Sequence, residues 1–173
     1  MEERAMVLDH GRILKAAERG REAIAQFLAD IVSIPSPSCG EGAVVKRIGE
    51  EMTRAGFDEV RVDGLGSIIG RIGSGKTVIA MDAHIDTVDV GNRELWSFDP
   101  HKAFVKGGKV WGRGSADQKG GMASMVFAGR MIKELCLEGD YTLLVTGTVM
   151  EEDCDGLCWQ YLIEEEKIRP DVC

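Results

Sequence analysis

Thr77-Val-Ile-Ala-Met-Asp-Ala-His-Ile-Asp-Thr-Val88 is the stretch whose reading decides the fold. Five of its first seven residues are apolar, interrupted within Val78–Ala83 only by Asp82, the pattern of a strand buried in a sheet. At the carboxyl end of that strand stand His84 and Asp86. In an α/β sheet this end is where ligands and chemistry sit. Strand side chains alternate, so His84 and Asp86 start on one face. A carboxylate beside an imidazole can accept its second N–H and fix the tautomer that a metal-ligating histidine needs.

Around this strand the chain alternates helix and strand. Ile24, Phe27, Leu28 and Ile31 fall on one stripe of a helix spanning about 12–32, which Pro35 and Pro37 stop. Ser38 begins a second helix with Glu41 as its capping-box partner, Val44, Val45, Ile48 and Met52 on the apolar face and Gly56 at the end. Short strands follow near 59–62 and 67–72. Phe104–Trp111 reads as a hairpin turning at Gly107-Gly108. A helix over about 119–137 buries Met122, Met125, Val126, Gly129 and Ile132. Tyr141–Val149 is a second buried strand, and Asp155 is placed to cap a short helix through Trp159, Leu162 and Ile163. Pro170–Cys173 looks like the start of another strand. The fold class is therefore α/β, with a mixed, mostly parallel sheet flanked by helices on both faces.

The chain has 173 residues, the size of one domain, and 21 basic against 29 acidic residues leave it at −8. That balance argues against nucleic acid or an anionic membrane as partner. The acidic opening Met1-Glu-Glu-Arg carries no secretory signal, and no stretch is long and apolar enough for a transmembrane span. Five irregularly spaced cysteines read as reduced thiols of a cytoplasmic protein, with Cys154 and Cys158 as small buried residues.

Three places put carboxylate or imidazole just past a buried element: His84 and Asp86, Asp117 in the glycine-rich loop before a helix, and Glu151-Glu152 after a strand. Histidine with carboxylates suits zinc, or cobalt or manganese. A carboxylate can also bridge two such ions. Adjacent Glu151 and Glu152 would diverge if extended, so one could hold metal while the other faces substrate as a base. Taken alone, His84 reads as a satisfied core histidine, and Asp153 and Asp155 as part of a solvated acidic turn, whereas Glu151 and Glu152 follow directly from a buried strand. Arg113 and Lys119 lie near enough in sequence to meet a substrate carboxylate, or to be solvated. Gly70-Arg-Ile-Gly-Ser-Gly-Lys-Thr77 matches the P-loop pattern at every position, making nucleotide binding a remote alternative. A P-loop opens a helix at its Lys-Thr, whereas Thr77 here begins a strand. The segment is therefore expected to be a hairpin turn through Gly73–Lys76.

Met81-Asp-Ala-His-Ile-Asp-Thr-Val88, then Gly112-Arg-Gly-Ser-Ala-Asp-Gln-Lys-Gly-Gly121, then Glu151-Glu152, spaced by roughly thirty residues, resemble the aminoacylase/carboxypeptidase family of dinuclear zinc hydrolases. That family includes acetylornithine deacetylase and succinyl-diaminopimelate desuccinylase. Gly121-Met-Ala-Ser-Met-Val126 and Glu151–Gln160 look most like its selenium-metabolism-linked hydrolase branch. The resemblance implies a zinc-exopeptidase-like catalytic domain that hydrolyses amide bonds of N-acyl amino acids or peptides. It implies His84 on the first metal, Asp86 orienting His84, Asp117 bridging two zinc ions across a cis Asp117–Gln118 bond, and Glu152 on the second metal. Glu151 would be the general base acting on a metal-bridging water. It further implies that 1–173 is the N-terminal portion of that domain. A lid or dimerisation domain, a C-terminal catalytic segment and the remaining ligands are then absent, and the full-length form is a homodimer. The chain alone would bind metal weakly and turn over poorly. A non-catalytic fragment or binding module that keeps the fold is the alternative.

Overall fold

The computed structural model describes residues 10–173, so the acidic opening at Met1–Arg4 lies outside the described residues. In chain order the elements are α1 (His10–Val32), α2 (Gly42–Arg54), β1 (Glu59–Val62), β2 (Ile68–Ile72), β3 (Thr77–His84), β4 (Phe104–Lys106), β5 (Lys109–Trp111), α3 (Lys119–Leu135), β6 (Tyr141–Thr148), α4 (Glu151–Cys154) and α5 (Leu157–Glu164). The main sheet has the order β1-β2-β6-β3, and β4 and β5 form a separate hairpin.

Strand periodicity sorts the side chains into two layers. Ile68, Ile72, Ala83 and Val145 join Phe27, Ile31, Ile48, Met52, Met122 and Val126 in the core beneath α1, α2 and α3. On the opposite face Ile69 packs with Leu162 of α5 and with Ile168. Helices thus cover both faces of a mixed sheet, as expected. The parallel share is smaller than expected: β1–β2 and β2–β6 pair antiparallel, and β3–β6 is the parallel pair. The cause of the first antiparallel pairing is a tight turn. Asp63 Oδ1 accepts the N–H groups of Leu65, Gly66 and Ser67 at 2.9, 2.7 and 2.8 Å and folds β2 straight back on β1. At the far edge Val172 bridges Ile79 in parallel, the strand start expected at Pro170–Cys173.

The P-loop-like segment is a strand connection, and Thr77 opens β3 with no helix. It is not the expected hairpin, because β6 lies between β2 and β3. The link crosses the beginning of β6 so closely that a Cβ on Gly75 would stand 2.0 Å from the Tyr141 nitrogen. Glycine is required there by proximity alone. Two expected caps are also corrected. Ser38 and Glu41 turn away from the α2 N-terminus toward other partners, and Glu41 at the N-cap makes no side-chain cap bond. Gly156, in the left-handed region at φ 87°, precedes α5 in place of an Asp155 cap. Cys158 is buried, but Cys154 is exposed; all five cysteines are free. Among the described residues no helix is long and apolar enough to cross a membrane.

Lys119, the first residue of α3, is 1% exposed. Its ammonium donates to the carbonyls of Ile31 at 2.9 Å and Ile34 at 3.0 Å, plugging the open end of α1. Sequence proximity to the acidic cluster offered it to a substrate carboxylate; the fold consumes it in this cap. Burial pushes its pKa down to about 8, against a smaller upward pull from Asp86. The unfolded chain therefore holds this proton to higher pH than the fold does, and stability rises with pH between about 8 and 10.5. Urea denaturation across that window should show a gain of up to about 3 kcal/mol in the wild-type chain that Lys119→Met lacks.

Candidate metal centre

The site is assembled by the register of the two parallel strands. His84 at the end of β3 stands opposite Thr148 at the end of β6. Three residues past Thr148 the chain enters α4 with Glu151 and Glu152 in its first turn. The two carboxylates are therefore helical, not extended. They diverge because successive helical side chains are about 100° apart. Between strand and helix, Met150 takes left-handed backbone angles, φ 59° and ψ 27°, and turns the chain sharply upward.

Asp86 has no exposed surface. One oxygen accepts the Glu151 N–H at 3.2 Å; the other accepts the Glu152 N–H at 3.1 Å and the Ser38 hydroxyl at 2.7 Å. Beneath it Ser36 donates to the Ile85 carbonyl at 2.8 Å, and Thr87 N–H returns a bond to Ser36 O. Asp86 also faces His84, with Oδ1 3.5 Å from Nδ1, and that nitrogen has no hydrogen-bond partner. The buried carboxylate thus ties β3 to α4 through hydrogen bonds and meets the imidazole as a neighbouring charge.

The third arm is the loop at Gly112–Gln118. Lys119 N–H and Gly114 O close it at 3.0 Å, and the Asp117–Gln118 peptide is cis, as the family resemblance implies. Asp117 projects from it, with a side chain 78% exposed, and its Oδ1 lies 2.8 Å from His84 Nε2. Glu151 Oε2 is 3.9 Å from the same nitrogen. Ligand atoms of His84, Asp117 and Glu152 fall within 4.8 Å of one another. Arg113 belongs elsewhere, its guanidinium 5.3 Å above the Trp96 ring.

Burial pushes His84 down, but the Asp117 hydrogen bond and the charges of Glu151, Asp86 and Asp117 outweigh it, leaving the imidazole above its ordinary value. An imidazole with Nδ1 turned to a buried carboxylate and Nε2 turned to a carboxylate cluster has the donor geometry of a metal ligand. One histidine and two acidic side chains are also a donor set for zinc and its neighbours. The residues present fit a divalent cation.

All five residues expected at the site come together: His84, Asp86, Asp117, Glu151 and Glu152. Three supporting residues escaped sequence reasoning. Ser36, Ser38 and Glu41 sit in a segment that looks like a helix start, and their partners lie 48 to 109 residues away.

Comparison with known proteins accords with this arrangement. The sequence model of peptidase family M20/M25/M40 matches residues 80–173, which include all five site residues. The chain is 56% identical over 159 residues to the Escherichia coli K12 protein named "Uncharacterized protein YgeY", covering 92% of this chain and 40% of that one. It is 34% identical over 130 residues to a probable succinyl-diaminopimelate desuccinylase of Staphylococcus epidermidis, covering 73% of this chain and 32% of that one. Human carnosine dipeptidase 1 shares the fold, with a TM-score of 0.78 at 22% identity over 92% of this chain and 38% of the other. The chain therefore spans two fifths or less of the length of each.

The charge balance around His84 is directly measurable. Nuclear magnetic resonance titration of the metal-free chain should place the His84 imidazole above its ordinary 6.5. Asp117→Asn should lower it, because burial is then opposed by fewer charges. The stability that the protonated ring contributes is present below 6.5 and lost as pH rises through the higher folded value.

Proposed function

This chain belongs to peptidase family M20/M25/M40, and on that premise we propose that it forms part of a metal-dependent hydrolase of amide or peptide bonds. The observation that carries the proposal is the convergence of His84, Asp117 and Glu152 at one sheet edge, with Glu151 3.9 Å from the same imidazole nitrogen. His84 would hold one ion, Glu152 a second, and Asp117 would serve both. Zinc suits this donor set, with cobalt or manganese as substitutes. When bound, such a cation would supply a Lewis acid for the scissile carbonyl and would lower the pKa of water toward neutrality.

The chain's own residues supply the rest. Glu151 is 41% exposed on its side chain and open to substrate, so its carboxylate takes the proton of the attacking water and later gives it to the leaving amine. Asp86 holds the amides of Glu151 and Glu152, which sets the base and the ligand relative to His84. Its negative charge beside Nδ1 favours the tautomer with the proton on that nitrogen and the lone pair on Nε2.

Three ligand residues cannot complete two ions, each of which takes about four ligands. We place the remaining ligands, and a lid or dimerisation domain, in the part of the relatives' length that this chain does not span. Substrates are then amides, N-acyl amino acids or peptides, in keeping with the names of the desuccinylase and the dipeptidase that the chain resembles.

In the full-length protein Glu151→Gln should reduce kcat by about 10²–10⁴-fold with metal content intact, whereas Glu152→Ala should also lose metal, read by elemental analysis. Near-normal hydrolysis by Glu151→Ala would overturn the assignment. Isothermal titration of residues 1–173 alone with zinc should show weak binding, and two tight sites would contradict the proposed division of ligands.

A further inference from the structure

Three consecutive backbone amides lead from β6 into α4, and each ends on a buried carboxylate supplied from far away in sequence. Glu151 and Glu152 donate to Asp86, and Met150 donates to Glu41 Oε1 at 2.9 Å. The same Glu41 oxygen accepts the N–H of Cys39 at 3.1 Å. Cys39 and Met150 are both non-glycine residues in the left-handed region, at φ 66° and 59°, where the Cβ crowds the neighbouring carbonyl. Their sulfur atoms touch at 3.3 Å, so the two turns lie against each other with one carboxylate oxygen between their amides.

Glu41 is 5% exposed, and among the described residues its Oε1 bonds go to backbone, with no side-chain cation among its hydrogen bonds. Both bonds are charge-assisted, and they fix two turns in an intrinsically unfavourable backbone region. One of those turns sets the direction in which Glu151 and Glu152 leave the sheet.

We infer that Glu41 is a positioning residue of the hydrolytic site, acting through the Met150 amide on the placement of Glu151 and Glu152. The inference rests on the roles proposed above for those two residues. Ser38 belongs to the same device, because its hydroxyl joins the 36–41 loop to Asp86, so both carboxylates that hold the turn are braced by one loop. Misplacement of a base or ligand by about 1 Å is enough to cost on the order of 10²-fold in rate.

The test uses the full-length enzyme loaded with Co²⁺, whose visible absorption reports ligand geometry. Glu41→Ala should lower kcat on the order of 10²-fold, leave KM nearly unchanged and shift the Co²⁺ spectrum. Glu41→Gln keeps an oxygen able to accept both amides and should restore most of kcat and the spectrum. A Glu41→Ala enzyme that melts at lower temperature but keeps the kcat and spectrum of the parent overturns the inference and leaves a structural role. Glu151→Gln run in parallel separates the two levels. If that variant remains active, the assignment of Glu151 as the base falls; if it is inactive while Glu41→Ala is not, only the positioning role falls. Should Glu41→Ala not fold, amide hydrogen exchange on the unsubstituted protein decides: Met150 and Cys39 should exchange slowly, and exchange of either at open-loop rates overturns the inference.

Discussion

Everything at the site hangs on a carboxylate that solvent never touches. Asp86 has no exposed surface, and burying a charge is costly unless hydrogen bonds compensate. Here three donors do so, two of them backbone amides of α4 and the third the Ser38 hydroxyl. Because those donors come from two stretches of chain and the acceptor follows a third, satisfying one charge aligns the end of β3, the 36–41 loop and the start of α4 at once. The parallel register of β3 against β6 brings these segments close, and Asp86 fixes their distance.

A second constraint works from the opposite side of the same sheet edge. Lys119 is buried with its ammonium on the Ile31 and Ile34 carbonyls, which joins the α3 N-terminus to the end of α1. Asp117 lies two residues before it, so the root of the exposed loop is held by a side chain bound to the end of α1. The cost of desolvating that ammonium is visible in its lowered pKa, and the hydrogen bonds to the two carbonyls offset part of it.

Much of this was legible in the sequence wherever local periodicity and local chemistry agree. The apolar runs at Thr77–Ala83 and Tyr141–Val149, each ending in acidic residues or histidine, announce two buried strands and their functional ends. The same logic dismissed the P-loop pattern, since β-branched residues directly after Lys76 make a strand there. What failed was whatever depends on partners distant in the chain. Ser38 and Glu41 have the spacing of a capping box, but their hydrogen bonds go to Asp86, Cys39 and Met150. The Gly73–Lys76 link looks like a hairpin because its neighbours are strands, and nothing local reveals that β6 will insert between them. The sheet came out less parallel than expected for a similar reason: strand direction is set by which strands become neighbours.

The five site residues divide by burial in a way that separates holding from reacting. His84 and Asp86 have side chains 6% and 0% exposed and form a rigid floor, whereas Asp117 and Glu151 are 78% and 41% exposed. A floor of this kind keeps the imidazole's two nitrogens in fixed environments, one toward a buried charge and one toward the open carboxylates. In the roles proposed for them the exposed members would stay accessible to substrate and ions, so their own packing would not hold them. Their precision has to come from backbone anchoring. That is what the captured amides of Met150, Glu151 and Glu152 provide on one side, and what Lys119 provides at the root of the Asp117 loop on the other.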